Sequence, residues 1–210
     1  MASEAKERLL SAAVGAFARK GYLGATVAEV CEEAGANIAA VNYHFGSKEH
    51  LFRHALREAF AIANGRYPID GGLPPEAPPE ERLRVFMEAL IRRSFDAGPA
   101  GCFNRIMARA LNVESGLEDL IMRELRKLEI GALDPILCEL LGTRAPTLIA
   151  QARANVIGLS VFPSKGPAVR RLMTGASPRR IRSFIDRQVR FALAGLAALR
   201  PESRTRPAAR

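Results

Sequence analysis

The fold is decided by Thr26 to Phe52, TVAEVCEEAGANIAAVNYHFGSKEHLF. Its opening, Thr26-Val27-Ala28-Glu29, has the spacing of a capping box, in which a hydroxyl and a carboxylate reciprocally satisfy free backbone N–H groups at a helix start. A short helix is predicted from there to about Ala34. Gly35 supplies the turn, because a sharp reversal between helices needs a residue tolerant of positive φ. Asn37 then caps a second short helix, Ile38 to Phe45, with small residues Ala39 and Ala40 on one side and Asn42, Tyr43 and His44 towards its end. Gly46 ends that helix, and Ser47-Lys48 opens a longer one with a capping hydroxyl and a cation. Helix, tight turn, helix is an arrangement that enters the major groove of DNA. Small residues permit close approach there, while Asn, Tyr and His hydrogen-bond to base edges or phosphates. Phe45 reads as a core residue.

Upstream, Ser3 to Lys20 is amphipathic, with Leu9, Leu10, Ala13, Val14, Phe17 and Ala18 recurring at three- and four-residue intervals and Gly21 placed to end the helix. The segment thus reads as helix, short helix, turn, short helix, long helix.

In this respect the run closely resembles the signature of TetR-family regulators: a capped helix, Ala-Gly, a short recognition helix ending in Tyr-x-His-Phe or Tyr-His-Phe, then Lys and Leu. Many members carry Tyr where this chain has Asn42, a departure that bears on the half-site sequence and not on binding itself. The motif covers roughly the first quarter of the chain. The resemblance implies that Thr26, Tyr43, His44 and Lys48 meet phosphates of a double-stranded DNA operator. It implies likewise that Asn37, Ile38, Ala39, Ala40 and Asn42 face base edges. A repressor, a homodimer and a small-molecule effector pocket in the body are further implications of the resemblance.

Downstream, Lys48 to about Gly65 buries Leu51, Phe52, Ala55, Leu56 and Phe60, and YPIDGGLPPEAPPEE then breaks the helix. Pro79 starts a fifth helix with the stripe Leu83, Phe86, Met87, Leu90, Ile91 and Phe95, stopped by Gly98-Pro99. A sixth spans Cys102 to Asn112. Ser115-Gly116-Leu117-Glu118 reads as a second capping box opening a long seventh helix to Leu141, bent at Pro135. Pro146 to about Phe162 forms the eighth, and Ser177-Pro178 starts a ninth that runs to about Leu199. The expectation is an all-α fold of about nine helices. Its divisions are a three-helix DNA-binding domain (1–47), a helical ligand-binding and dimerisation domain (48–199) and a disordered Pro- and Arg-rich tail (200–210).

The last two long helices are broadly apolar. Leu148, Ala152, Val156 and Leu159 on one, with Ile181, Phe184, Ile185, Val189, Ala192 and Leu196 on the other, are predicted to pair with a second subunit as a four-helix bundle. An intramolecular core is the competing reading. Phe95, Phe103, Ile106, Met107, Met122 and Leu125 are candidates to line a pocket for a small, largely apolar effector, although Met and aromatic residues also fill cores.

The chain has 210 residues and a net charge of +9, yet Met1 to Arg66 carries only 8 Lys+Arg against 7 Asp+Glu. The surplus is concentrated from Pro163 to Arg190, where an exposed charged face and an acidic ligand or partner are both open readings. No apolar run reaches the roughly 20 residues of a membrane span, and MASEAKERLL lacks a signal peptide's apolar stretch, so a soluble cytoplasmic protein is expected. Three widely spaced cysteines, Cys31, Cys102 and Cys138, suit reduced core thiols. His50 and His54 lie four apart but lack a third ligand, so no metal or cofactor is predicted. With no phosphate-binding glycine loop and no Gly-x-Ser-x-Gly, the sequence does not read as an enzyme.

Overall fold

A computed structural model describes residues 2–110 and 116–200. Four helices form the head: α1 (Ala2–Gly24), α2 (Val27–Ala34), α3 (Ile38–Phe45) and α4 (Lys48–Arg66). Gly21, with φ 72° and ψ −178°, breaks the helical path of α1 where the sequence places its end. The body continues with α5 (Pro79–Phe95), a 3-10 turn (Pro99–Gly101), α6 (Cys102–Ala110), α7 (Glu118–Leu125), a π turn (Arg126–Ile130) and α8 (Gly131–Leu141). After these come α9 (Pro146–Val161), a 3-10 turn (Phe162–Lys165), α10 (Pro167–Met173) and α11 (Pro178–Ala198). The described residues contain no strand, as the all-α reading requires, and no helix long and apolar enough to cross a membrane.

Two body features, the π turn and α10, depart from the sequence reading. The expected cap residue, 115, lies outside the described residues; α7 begins at Glu118, behind Leu117. Gly116, at φ 73°, cannot belong to the helix, and its N–H instead donates to the Glu118 carboxylate at 3.2 Å. The seventh helix is interrupted by the π turn, one turn N-terminal to Pro135, instead of at the proline itself. Gly131 makes that turn possible: its N–H bonds to the Arg126 carbonyl, and a Cβ there would lie 2.8 Å from the same oxygen. Finally, α10 is an additional seven-residue helix that buries Met173 alone and so is too short to show a periodic signal.

Apolar packing is split between two cores. The first joins Leu9 and Phe17 of α1, Val41 and Phe45 of α3, and Phe52 and Leu56 of α4 to Phe103 and Ile106 of α6 and Ile121 of α7. Phe17 and Tyr22 meet the Phe52 ring edge-on at 5.0 and 5.3 Å. The second core is built from α5, α8, α9 and α11 around Phe86, Leu90, Leu137, Val156 and Ile185. The packing therefore does not divide at 47/48, because α4, α6 and α7 all serve the first core.

A polar seam separates the two. Arg93 of α5, 0% exposed, donates to Glu129 (3.2 Å), to Asn64 Oδ1 (2.8 Å) and to the Tyr67 carbonyl (2.6 Å), and lies 5.2 Å from the Phe60 ring centroid. Burial pushes the Glu129 carboxyl up to about 7, against the opposing pull of Arg93. Burying charge demands such a full set of partners, so the seam orients α4, α5 and the π turn together. Arg200 is anchored on the Leu140 carbonyl at 2.7 Å, and the rest of the expected tail, 201–210, lies outside the described residues.

Candidate nucleic-acid interface

The head presents α3 by a succession of local devices. Thr26 Oγ1 accepts from Glu29 N–H and Glu29 accepts from Thr26 N–H, each at 3.2 Å, which closes the capping box. Glu29 also takes Lys20 at 2.5 Å, and Glu33 pairs with Arg19, so α2 is held against α1 by charge as well as by packing. Gly35 adopts the left-handed conformation (φ 59°, ψ 42°), and Ala36 N–H reaches back to the Cys31 carbonyl at 2.9 Å, so the chain reverses at the end of α2. Asn37 Oδ1 caps α3 through Ala40 N–H at 2.9 Å, and Ser47 Oγ caps α4 through His50 N–H at 3.1 Å.

Val41 and Phe45, four apart, fix α3 to the core. The positions between them point outward: Ile38 is 53% and Tyr43 80% exposed, with Asn37, Ala39 and Asn42 also exposed. Ala40, His44 and Lys48 are half-buried at the edge of this surface, and Thr26 is exposed. Asn37 has its amide oxygen committed to the cap, which leaves its NH₂ as the free end. The Tyr43 and His44 rings meet edge-on at 4.9 Å.

Sequence reasoning missed Tyr22. Its ring lies 4.7 Å beneath Lys48 Nζ, so the aromatic face positions the cation. Burial lowers the pKa of the Lys48 ammonium, and burial together with nearby Glu49 raises that of the Tyr22 phenol. The available signal was an aromatic residue directly after the helix-ending Gly21. His50 is exposed with Nδ1 3.2 Å from the Phe45 carbonyl, whereas His54 is half-buried against the Phe45 ring.

The structure does not gather the six expected pocket residues into one cavity. Phe103, Ile106 and Met107 are buried in the first core with Leu125 packed against it, Phe95 belongs to the second, and Met122 is exposed.

The expected dimer stripe serves this chain's own core and also borders an open groove. Ala152, Val156, Ile185, Val189, Ala192 and Leu196 are buried in this chain's own second core, while Leu148, Leu159, Ile181 and Phe184 are partly buried against it. Val156, Leu159, Phe184, Ala192 and Leu196 of that stripe also line an apolar groove of about 790 Å³ on α9 and α11, together with the exposed rings of Phe162 (75%) and Phe191 (68%).

Residues 9–55 match the family model for bacterial regulatory proteins of the tetR family. The transcriptional dual regulator CecR of Shigella flexneri is 47% identical over 49 residues, 23% of this chain and 22% of that protein. The transcriptional repressor NicS of Pseudomonas putida is 30% identical over 142 residues, 65% of this chain and 63% of its own. The chain thus spans about a fifth to just under two thirds of the length of these curated relatives. A transcriptional regulator from Rhodococcus sp. Rha1 superposes with a TM-score of 0.62 at 27% identity, over 90% of this chain and 96% of the other. The TetR-family regulator PfmR of Thermus thermophilus shares the fold, with a TM-score of 0.59 at 23% identity over 88% and 95% of the two chains. Residues 9–55 of the head are thus similar to the N-terminal part of tetR-family regulators, and the helical body is similar in fold to solved transcriptional regulators.

Proposed function

We propose that this protein is a homodimeric repressor that reads a palindromic DNA operator through α3 and is released by a small, largely apolar effector. The observation that carries DNA reading is the outward face of α3, anchored by Val41 and Phe45 and bounded by Thr26 and Lys48. Ile38 turns a β-branched apolar side chain to solvent at the first turn of that helix, where it suits contact with a thymine methyl, while Asn42 suits an adenine edge. Lys48, seated on Tyr22, and Tyr43 suit phosphates.

Dimerisation is supported by the apolar groove of α9 and α11. A second copy laid on it makes a four-helix bundle and buries Phe162 and Phe191. Two recognition helices then fall roughly 34 to 36 Å apart, on successive major grooves. Repression as the sense of regulation is supported by the name of NicS, which matches this chain beyond the head. Release by an effector is supported by the division into two cores: a ligand that shifts α5 against α4 at the seam changes the spacing of the heads.

Genomic fragments incubated with the protein, recovered and sequenced test the reading. Enrichment of a palindrome with half-sites about one helical turn apart is expected; equal recovery of all sequences would overturn it. Lys48→Ala is expected to weaken binding to every sequence and flatten its salt dependence. Asn42→Ala should relax preference at one half-site position, at a cost of about 1–3 kcal/mol for a bidentate contact.

A further inference from the structure

Seven of the chain's nine net positive charges fall between Pro163 and Arg190, where eight cations face Asp186 alone. That one acid is already held by Arg84 of α5 at 2.6 Å. Arg170, Arg171, Arg179, Arg180, Arg182, Arg187 and Arg190 are all exposed, and none forms an ion pair among the described residues. In the head the opposite holds: Arg8, Arg19, Lys20 and Arg57 are paired with Glu4, Glu33, Glu29 and Glu124. The element that reads DNA therefore has few cations to spare for the phosphates.

The basic segment begins near α6, which packs against α1 of the head. Arg109 of α6 donates to the Ala18 carbonyl of α1 at 3.2 Å, and its side chain lies so close to Gly21 that a Cβ there would come within 3.3 Å of it. Lys165 is within electrostatic reach of Arg170, Arg109 and Arg105; burial first, and these cations next, lower its pKa. Tyr22, the seat of Lys48, directly follows Gly21. Arg109 thus touches α1 of the head and lies within electrostatic reach of Lys165, where the basic segment starts. Phe162 and Val169 border the groove assigned to the second copy, so dimerisation brings the two Arg-rich segments together.

We propose that residues 165–190 form a second DNA-binding surface, which grips phosphates of the operator that α3 reads without reading its bases. The inference rests on the head's assignment as the DNA reader. Seven of the eight cations are arginine, whose planar fork pairs with phosphate oxygens bidentately. Each phosphate neutralised releases counterions, which supplies the affinity that a near-neutral head lacks. Specificity and affinity are thereby carried by different parts of one chain.

The test is fluorescence anisotropy over a series of salt concentrations, with the operator duplex from genomic selection and a scrambled duplex of equal length. Each phosphate contact contributes about 0.9 to the slope of log affinity against log salt. The triple variant Arg179→Ala/Arg180→Ala/Arg182→Ala is expected to lose a slope of about 2 to 3 on both duplexes, with the ratio of their affinities unchanged. The matching Arg→Lys triple should keep the slope, which separates lost charge from lost structure. An alanine triple with the full wild-type slope, on an operator where Lys48→Ala shows a shallower one, overturns the second surface and leaves the head's reading intact. Loss of slope in a protein that never prefers its operator overturns the head's reading and leaves the surface standing. Polyglutamate that binds the wild type but not the alanine triple, with the DNA slope unchanged, assigns the surface to an acidic protein and also overturns the proposal.

Discussion

Head and body are built from the same secondary structure by different means. The head's helices α2 and α3 have eight residues each, too short to persist alone, and each is closed by side-chain caps and glycines at defined positions. The longer body helices α5 and α9 have no side-chain cap at their starts and are held by the second core. Where an element is short, its own ends must specify it; where it is long, its neighbours do. The buried Arg93–Glu129 seam is a place where the two strategies meet, and it draws on α4, α5 and the π turn at once.

The largest expected effect tests whether the two cores are one cooperative unit. Phe52→Ala in the first core should cost about 3–5 kcal/mol and Leu137→Ala in the second about 2–5 kcal/mol. Followed by urea denaturation at fixed protein concentration, both should move a single shared transition. Two separate transitions in the wild type would break that picture.

Arg93→Met sharpens it. Removing the cation leaves Glu129 buried without its partner, at a cost of about 3–5 kcal/mol, and should split the single transition into two. The pH dependence has a definite sign. Because the folded-state pKa of Glu129 is raised from 4.5 to about 7, its contribution to stability is fully present below about 4.5 and is lost as pH rises through about 7. Glu129→Gln cannot lose that contribution, so its stability relative to the wild type should improve across this window. Thermal or urea midpoints at pH 4.5 and 8 measure the difference; a Glu129→Gln stability that falls relative to the wild type with rising pH contradicts the assignment.

Smaller effects belong to the head's ends. Thr26→Ala removes the hydroxyl that caps α2 and should cost about 1 kcal/mol. Gly35→Ala forces a side chain into the left-handed region and should cost a comparable amount, about 1 kcal/mol. Both should be read by DNA affinity as well as by melting, since α3 hangs from these two points. A melting change without a change in affinity would show that the turn does not position α3.

The head was legible for a physical reason. A cap acts across three residues and a left-handed glycine across one turn, so Thr26, Gly35, Asn37, Gly46 and Ser47 announce their roles within short windows. The body's helix starts at Pro79 and Ser177-Pro178 were legible for the same reason. Burial was not. Val156 of α9 and Phe162, directly after its end, read as one apolar stripe in the sequence, yet the first is buried within the chain and the second is 75% exposed. Periodicity shows that a helix has an apolar side, but the number of neighbours available to cover it is a property of the whole molecule. Phe103, Ile106 and Met107 illustrate the same limit, since a cavity wall and a filled core call for the same residue types.

By itself, the sequence determined an all-helical chain, the order and ends of the head helices, and which face of α3 is free to meet DNA, because caps, turns and amphipathic spacing act over a few residues. Only the tertiary structure decided that α4, α6 and α7 complete the head's core, that Lys48 rests on Tyr22, and that Arg93 and Glu129 meet across the seam. Those facts depend on residues distant in sequence coming together, and distance in space is set by the packing of all the helices at once.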